Sequence, residues 1–294
     1  MELIARDIGD LRVEVAPSLG GRIHRISYRG VDLLRTPRSI AESRTDPWYW
    51  SGFFMAPWCN RIPNGRFAFN SGAYCVPPNF DDGSAIHGQV HRRAWLILED
   101  TNDRPLRWGV SVDDEFPWPY TVEASMWLTT SSLRIRLLLT NTSTTPMPAG
   151  LGWHPWFNAQ DRLLMRIPAR MQFPLSASHG GESAPIPTSG PAVLDSADNA
   201  VWGRHELYAD IAGEPISLIW PNEGILCRMH VDQSAHVLVY AHEQTRSIAV
   251  ESQSHALNGF ERLAECLPGA IHVLPSGGTL TSTISLTLTH QKED

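Results

Sequence analysis

Positive charge is scarce and scattered in this chain. Of 294 residues, 24 are lysine or arginine against 31 aspartate or glutamate, a formal net charge of −7, and the longest basic run is the pair Arg92-Arg93. Nucleic-acid binding needs clustered positive surface, so no nucleic-acid partner is expected. An anionic small molecule stays possible, because it needs only a few local arginines. Cysteine is also sparse: Cys59, Cys75, Cys227 and Cys266 form no C-x-x-C pair, which suggests neither a zinc knuckle nor a redox dithiol. The first residues lack a basic segment followed by a long apolar stretch. No apolar run approaches the length of a membrane span. The expectation is a cytoplasmic protein with reduced thiols and no membrane partner, assembled as a monomer or homodimer. No internal repeat or composition shift marks a linker, so residues 1–294 are expected to form a single domain.

Long helical periodicity is missing too, and alternation with period two takes its place. Leu133, Ile135, Leu137 and Leu139 share one face of Leu133–Asn141, and Tyr120, Val122, Ala124, Met126 and Leu128 share one just before it. Ile225, Cys227, Met229 and Val231 alternate later, and Leu280, Ile284, Leu286 and Leu288 alternate against threonine and serine in the last run. Such residues suit a pleated surface. With 22 glycines and 22 prolines separating the runs, the pattern is an all-β fold, a large antiparallel sandwich or barrel. Short helices are expected near Ser39–Thr45 and Ala256–Glu265, and Ser176–Gly190 reads as a long surface loop.

Three segments carry chemistry. Gly150–Asn158 sets His154 between Trp153 and Trp156, with Phe157 following. Aromatic rings suit the apolar faces of a sugar, and imidazole passes protons near neutral pH. Ala85–His91 holds His87 and His91 at i, i+4. That spacing suits a metal pair on a helix, but Gly88 and the Asp81-Asp82-Gly83 turn oppose a helix, and in a strand the two would point to one side. Ile248–Glu251 is an apolar strand ending in a carboxylate, where partial burial would raise a base toward the working pH. Arg61, after Asn60 and before the Pro63-Asn64-Gly65 turn, is placed to donate to several ligand oxygens. Each has an ordinary alternative: a surface salt bridge for Arg61, a hydrogen-bonded core residue for His154 or His87, a strand-end charge for Glu251. Trp156 and Trp58, each beside a proposed polar contact, are expected to line the site.

The combination resembles a known family. Asn60-Arg61-Ile62 with Gly65-Arg66-Phe67, His87-Gly88 with Arg93-Ala94-Trp95, Phe116–Tyr120, Gly152–Phe157, Glu251–His255 and Leu274–Leu280 look like the ordered motifs of the aldose 1-epimerases, or galactose mutarotases, in a bacterial branch with diverse substrates. The likeness runs from about residue 10 to residue 290. It implies a galactose mutarotase-like β-sandwich with an open cleft, and an isomerase of carbohydrate metabolism that interconverts the anomers of a monosaccharide. Carried over, Glu251 becomes the general base and His154 the general acid, with His87 and Arg61 on the sugar; Asn60 and Trp156, beside these positions, are expected to bind it too. Asp198 becomes the aspartate that binds sugar hydroxyls, although Val201 stands where an aromatic is usual. No metal or other cofactor is implied. Ring opening moves only protons, one from the C1 hydroxyl and one to the ring oxygen, which calls for a carboxylate and an imidazolium on opposite sides of a sugar. An in-family alternative is a hexose-6-phosphate 1-epimerase using Arg61, Arg66, Arg92 and Arg93 on the phosphate. Outside the enzyme class stands a carbohydrate-binding or sugar-sensing protein, and a third reading is a metalloenzyme using His87 and His91.

Overall fold

The structure is a computed structural model that describes residues 3–39, 41–42, 47–101, 103–175, 184–211, 213–232 and 235–291. The runs with period two all form strands. Tyr120–Leu128 pairs with Ser132–Asn141, which pairs in turn with Thr279–His290, and Ile225–Val231 follows. In these strands Leu133, Ile135, Leu137, Leu139, Ile284, Leu286 and Leu288 are buried, while the intervening residues point away from the core. One residue of slip would turn every one of these leucines outward, so the pattern itself sets the register.

Two large antiparallel sheets result. A nine-stranded sheet runs from the edge strand Leu96–Glu99 through Leu106–Val112 and the four strands above to Ile216–Trp220, Leu164–Ile167 and Ala192–Asp195. An eleven-stranded sheet has at its centre Gly52–Met55, Gly152–Asn158, Ser247–Gln253, His236–His242 and His205–Ile211, adjacent in that order. One apolar cluster draws on both sheets, and Trp108 Nε1 of the smaller donates to Gly21 O at 2.8 Å. Burying such large rings is the dominant stabilising term. The expected large antiparallel β-sandwich is what forms.

The central strands of the larger sheet position the site. Phe54, Trp153, Phe157, Ile248, Val250, Val237, Val239 and Tyr208 belong to the main core cluster. Alternate residues on the same strands, Phe53, His154, Trp156, Glu251, Tyr240 and His205, therefore project from the opposite face. That second face is covered by chain rather than by water: Trp48, Tyr49, Asn60, Arg61, Phe80 and His87 join these residues around one cavity.

The expected helix at Ala256–Glu265 is present over Gly259–Ala264. The helix expected at Ser39–Thr45 falls largely outside the described residues, as does the first half of the Ser176–Gly190 loop. The second half includes the short strand Ile186–Pro187, paired with Ala169–Phe173.

Candidate active site

His154 and Glu251 sit on neighbouring strands whose register, Gly152 opposite Gln253 and Trp153 opposite Ser252, places them face to face. His154 Nε2 lies 3.1 Å from Glu251 Oε1, and both residues are buried. Gln253, two residues on and therefore on the same strand face, donates Nε2–H to Glu251 Oε2 at 2.7 Å. Each carboxylate oxygen thus has one polar partner, His154 Nε2 on Oε1 and Gln253 Nε2–H on Oε2, which fixes the rotamer. The neighbouring Ser254 Oγ does not reach the carboxylate and accepts Leu151 N–H at 2.9 Å instead. Phe53, opposite His154 in the other neighbouring strand, stacks on its imidazole at 4.5 Å and 24°.

His87 reaches the same point from a loop. It follows the two-residue strand Ala85–Ile86 with φ 58°, and the backbone turns back through Gly88. Gly88 has φ +69°, and a Cβ there would lie 1.9 Å from Ala56 O, so no other residue fits. Asn60 and His87 lock together: Asn60 N–H donates to His87 Nδ1 at 3.2 Å, and His87 N–H donates to Asn60 O at 3.0 Å. With its Nδ1 lone pair occupied, the neutral imidazole carries its proton on Nε2. Burial pushes the His87 imidazole well below its usual value, and the neighbouring His154 and His91 add to the effect. His87 is therefore neutral, with its Nε2–H as the donor at the cavity.

Arg61 forms the salt bridge of its ordinary reading and lies at the cavity. Its Nε donates to Asp82 Oδ2 at 2.8 Å, a half-exposed ion pair, and the guanidinium lies over Phe80 at 5.3 Å while lining the cavity. Trp156 lines the cavity and is buried, its Nε1–H donating to Trp48 O at 2.6 Å. The cavity, about 200 Å³, is also lined by Trp48, Tyr49, Phe80, Tyr240 and His205.

Several expectations are corrected. Trp58 is buried in the main core, with Nε1 donating to Ala85 O at 3.3 Å, and does not line the cavity. Asp198 is exposed, and its carboxylate accepts Ala200 N–H at 2.9 Å to cap the turn Asn199–Val201. It is not among the residues lining the cavity, whereas His205, which begins the next strand, is. His87 and His91 do not share a strand face: His91 lies in the 3₁₀ turn Val90–Arg92, its ring 4.8 Å from Trp48. His154 and Glu251, expected on opposite sides of a sugar, stand side by side on neighbouring strands of one sheet.

Among the described residues, the donor atoms that lie together as metal ligands would are those of His87, His154 and Glu251, within 4.8 Å of one another. They fit a metal poorly. Ligation by His87 Nε2 would require breaking the Asn60 N–H bond or forming an imidazolate, and ligation by His154 Nε2 would displace the proton shared with Glu251.

Phe53, Tyr240, His205, Trp48, Tyr49 and Phe80 were not singled out from the sequence. The Trp48-Tyr49-Trp50 run and the alternation within His236–His242 were the available signals. Neither says which strand lies beside which.

Comparison with known proteins identifies the family and the fold. A sequence model of the aldose 1-epimerase family matches residues 7–258. The Escherichia coli (strain K12) protein YphB is 29% identical over 155 residues, covering 51% of this chain and 49% of YphB. YihR of the same organism is 24% identical over 173 residues, 56% of this chain and 54% of YihR. The chain thus spans about half the length of the curated relatives it matches. A galactose mutarotase-like protein from Clostridium acetobutylicum superposes with a TM-score of 0.85 at 16% identity, over 98% of this chain and 95% of its own. An aldose epimerase homologue from C. elegans gives a TM-score of 0.82 at 14% identity, over 99% of each chain. These two likenesses show a shared fold. With the family match covering most of the sequence, the chain belongs to the aldose 1-epimerase family.

Proposed function

We propose that the protein is an aldose 1-epimerase that interconverts the α and β anomers of a monosaccharide. The observation that carries this reading is the His154–Glu251 pair, 3.1 Å apart, buried, and facing an aromatic-walled cavity. Glu251 takes the proton of the C1 hydroxyl while His154 delivers one to the ring oxygen. The C1–O5 bond breaks, C1 becomes an aldehyde, and rotation about C1–C2 presents its other face. The ring oxygen then attacks C1, His154 recovers its proton from that oxygen, and Glu251 returns its own to O1. General acid–base help of this kind contributes typically ~10²–10⁴-fold per group. His87 Nε2–H and Arg61 hold sugar oxygens, and the rings of Trp156, Phe53 and Tyr240 meet its apolar faces. Tests on a free hexose come first, because of the four arginines considered for a 6-phosphate only Arg61 lines the cavity. Arg92 pairs with Glu115 at 3.1 Å, Arg93 pairs with Asp114, and Arg66 is exposed beside a neighbouring cavity.

Exchange NMR on a panel of monosaccharides and sugar phosphates tests the reading directly. Enhanced anomer exchange for at least one sugar is expected. Sugar binding without enhanced exchange would favour the binding-protein alternative and overturn the proposal.

A further inference from the structure

The segment Pro47-Trp48-Tyr49-Trp50 forms part of the cavity wall through Trp48 and Tyr49. It carries no strand or helix of its own. Its four consecutive carbonyls are nonetheless all taken. Arg22 Nη1 donates to Pro47 O at 3.1 Å and, more weakly, to Trp50 O at 3.5 Å. Trp156 Nε1 donates to Trp48 O at 2.6 Å, and Arg35 Nη1 donates to Tyr49 O. Arg22 is 3% exposed, and among the described residues it has no carboxylate within ion-pair distance; its Nε donates to another carbonyl, Leu19 O, at 2.9 Å. Burial pulls its guanidinium down to about 10, a measure of how dry its surroundings are. A buried arginine whose donors are spent on carbonyls is a costly way to hold a loop, so a specific geometry is being held.

Packing does not hold it alone. Trp48 has the sugar cavity of about 200 Å³ on one side and a second cavity of about 480 Å³, lined by Arg22 and His91, on the other. Its ring meets Phe80 at 5.6 Å and His91 at 4.8 Å, and where the strap's backbone sits decides which of these contacts the ring keeps.

We propose that Arg22 is a positioning residue that latches the Pro47–Trp50 strap and so fixes Trp48 and Tyr49 as the sugar-contacting wall. This rests on the epimerase reading above. The latch acts on sugar binding, not on the proton transfers, because Arg22 does not line the sugar cavity.

The test is Arg22→Met, which keeps the stem and the volume and removes the donors to Leu19 O, Pro47 O and Trp50 O. Circular dichroism and thermal unfolding check that the variant folds. Acrylamide quenching of tryptophan fluorescence should rise in Arg22→Met, and the rise should vanish when Trp48→Phe is added. For the sugar on which the wild type is active, KM should rise about tenfold or more with kcat within about threefold. Unchanged quenching in a folded variant would overturn the latch. Increased quenching with unchanged KM would overturn the role of the strap in sugar binding. A kcat loss with unchanged KM would place Arg22 in the proton-transfer machinery and would also overturn the proposal. Wild-type protein inactive on every sugar would sink the epimerase reading instead, while the quenching arm still decides the latch. Should Arg22→Met not fold, Trp48→Ala carries the wall claim: unchanged KM there would overturn it.

Discussion

His154 and Glu251 face each other across one antiparallel strand pair, Nε2 to Oε1 at 3.1 Å, with Phe53 stacked on the imidazole from the opposite neighbour. The two side chains are thus fixed by the hydrogen-bond ladder of the sheet rather than by loops. Geometry held on rigid elements suits the proposed reaction, whose two proton transfers occur at atoms bonded to a single carbon.

Glu251→Gln keeps the shape of the side chain and removes the base. Anomer exchange should fall by about 10²-fold or more, while sugar binding, measured by titration, and thermal unfolding stay close to wild type. Substantial turnover by this variant would move the base elsewhere.

His154 and His87 should separate in kinetics. His154→Ala removes the group in contact with Glu251 and should lower kcat by orders of magnitude. His87 is a neutral donor locked by Asn60, so His87→Ala should cost less in kcat and more in KM. Near-normal turnover in His154→Ala would remove its assignment as the acid.

Trp156 lines the cavity, is fully buried and holds Trp48 O, so its truncation should show in stability as well as binding. Trp156→Ala should lose about 3–5 kcal/mol, read from denaturant unfolding. Trp156→Phe keeps a ring and loses only the indole donor, so it should unfold much closer to wild type while KM rises. If Trp156→Phe bound sugar normally, the strap bond would have no part in binding.

Acid should destabilise the protein well above the usual carboxylate range. Burial pulls His91 and His236 down to about 3 and His255 to about 4. In the unfolded chain these groups titrate near 6.5, so below that pH the unfolded state binds more protons than the folded one. Stability is complete above about pH 6.5 and is lost as pH falls toward 4, by about 1.4 kcal/mol per pH unit for each proton of difference. Thermal midpoints at pH 7, 6 and 5 should fall in that order, and His236→Met should flatten the slope. A midpoint independent of pH across this range would contradict the linkage.

Activity should be indifferent to chelators, because the three groups close enough to share a metal are engaged as proton donors and acceptor. Loss of turnover in EDTA, restored by one specific divalent ion, would reverse this.

Much of this was legible in the residues. Leu133–Leu139 and Tyr120–Met126 face the core as their alternation requires, since side chains on a strand repeat every second residue. His154, Glu251, Arg61, Asn60, His87 and Trp156 do meet around one cavity. Trp58 and Asp198 mislead for a local reason. A tryptophan beside a polar motif says nothing about which way its ring points, and an aspartate before a short turn is well used as a cap.

What the sequence determined by itself is the all-β class, several of the alternating strands and the face each of them buries, because alternation depends only on neighbours two residues apart. The tertiary structure decided the order of the strands. That order puts Phe53, His154, Glu251, Tyr240 and His205 on five consecutive strands drawn from distant parts of the chain. It also decided that acid and base stand side by side. Likewise the strap Pro47–Trp50 is held by Arg22, Arg35 and Trp156, through carbonyls that carry no side-chain signature. Contacts made by backbone atoms across such separations depend on where the whole chain has gone, and no local pattern encodes them.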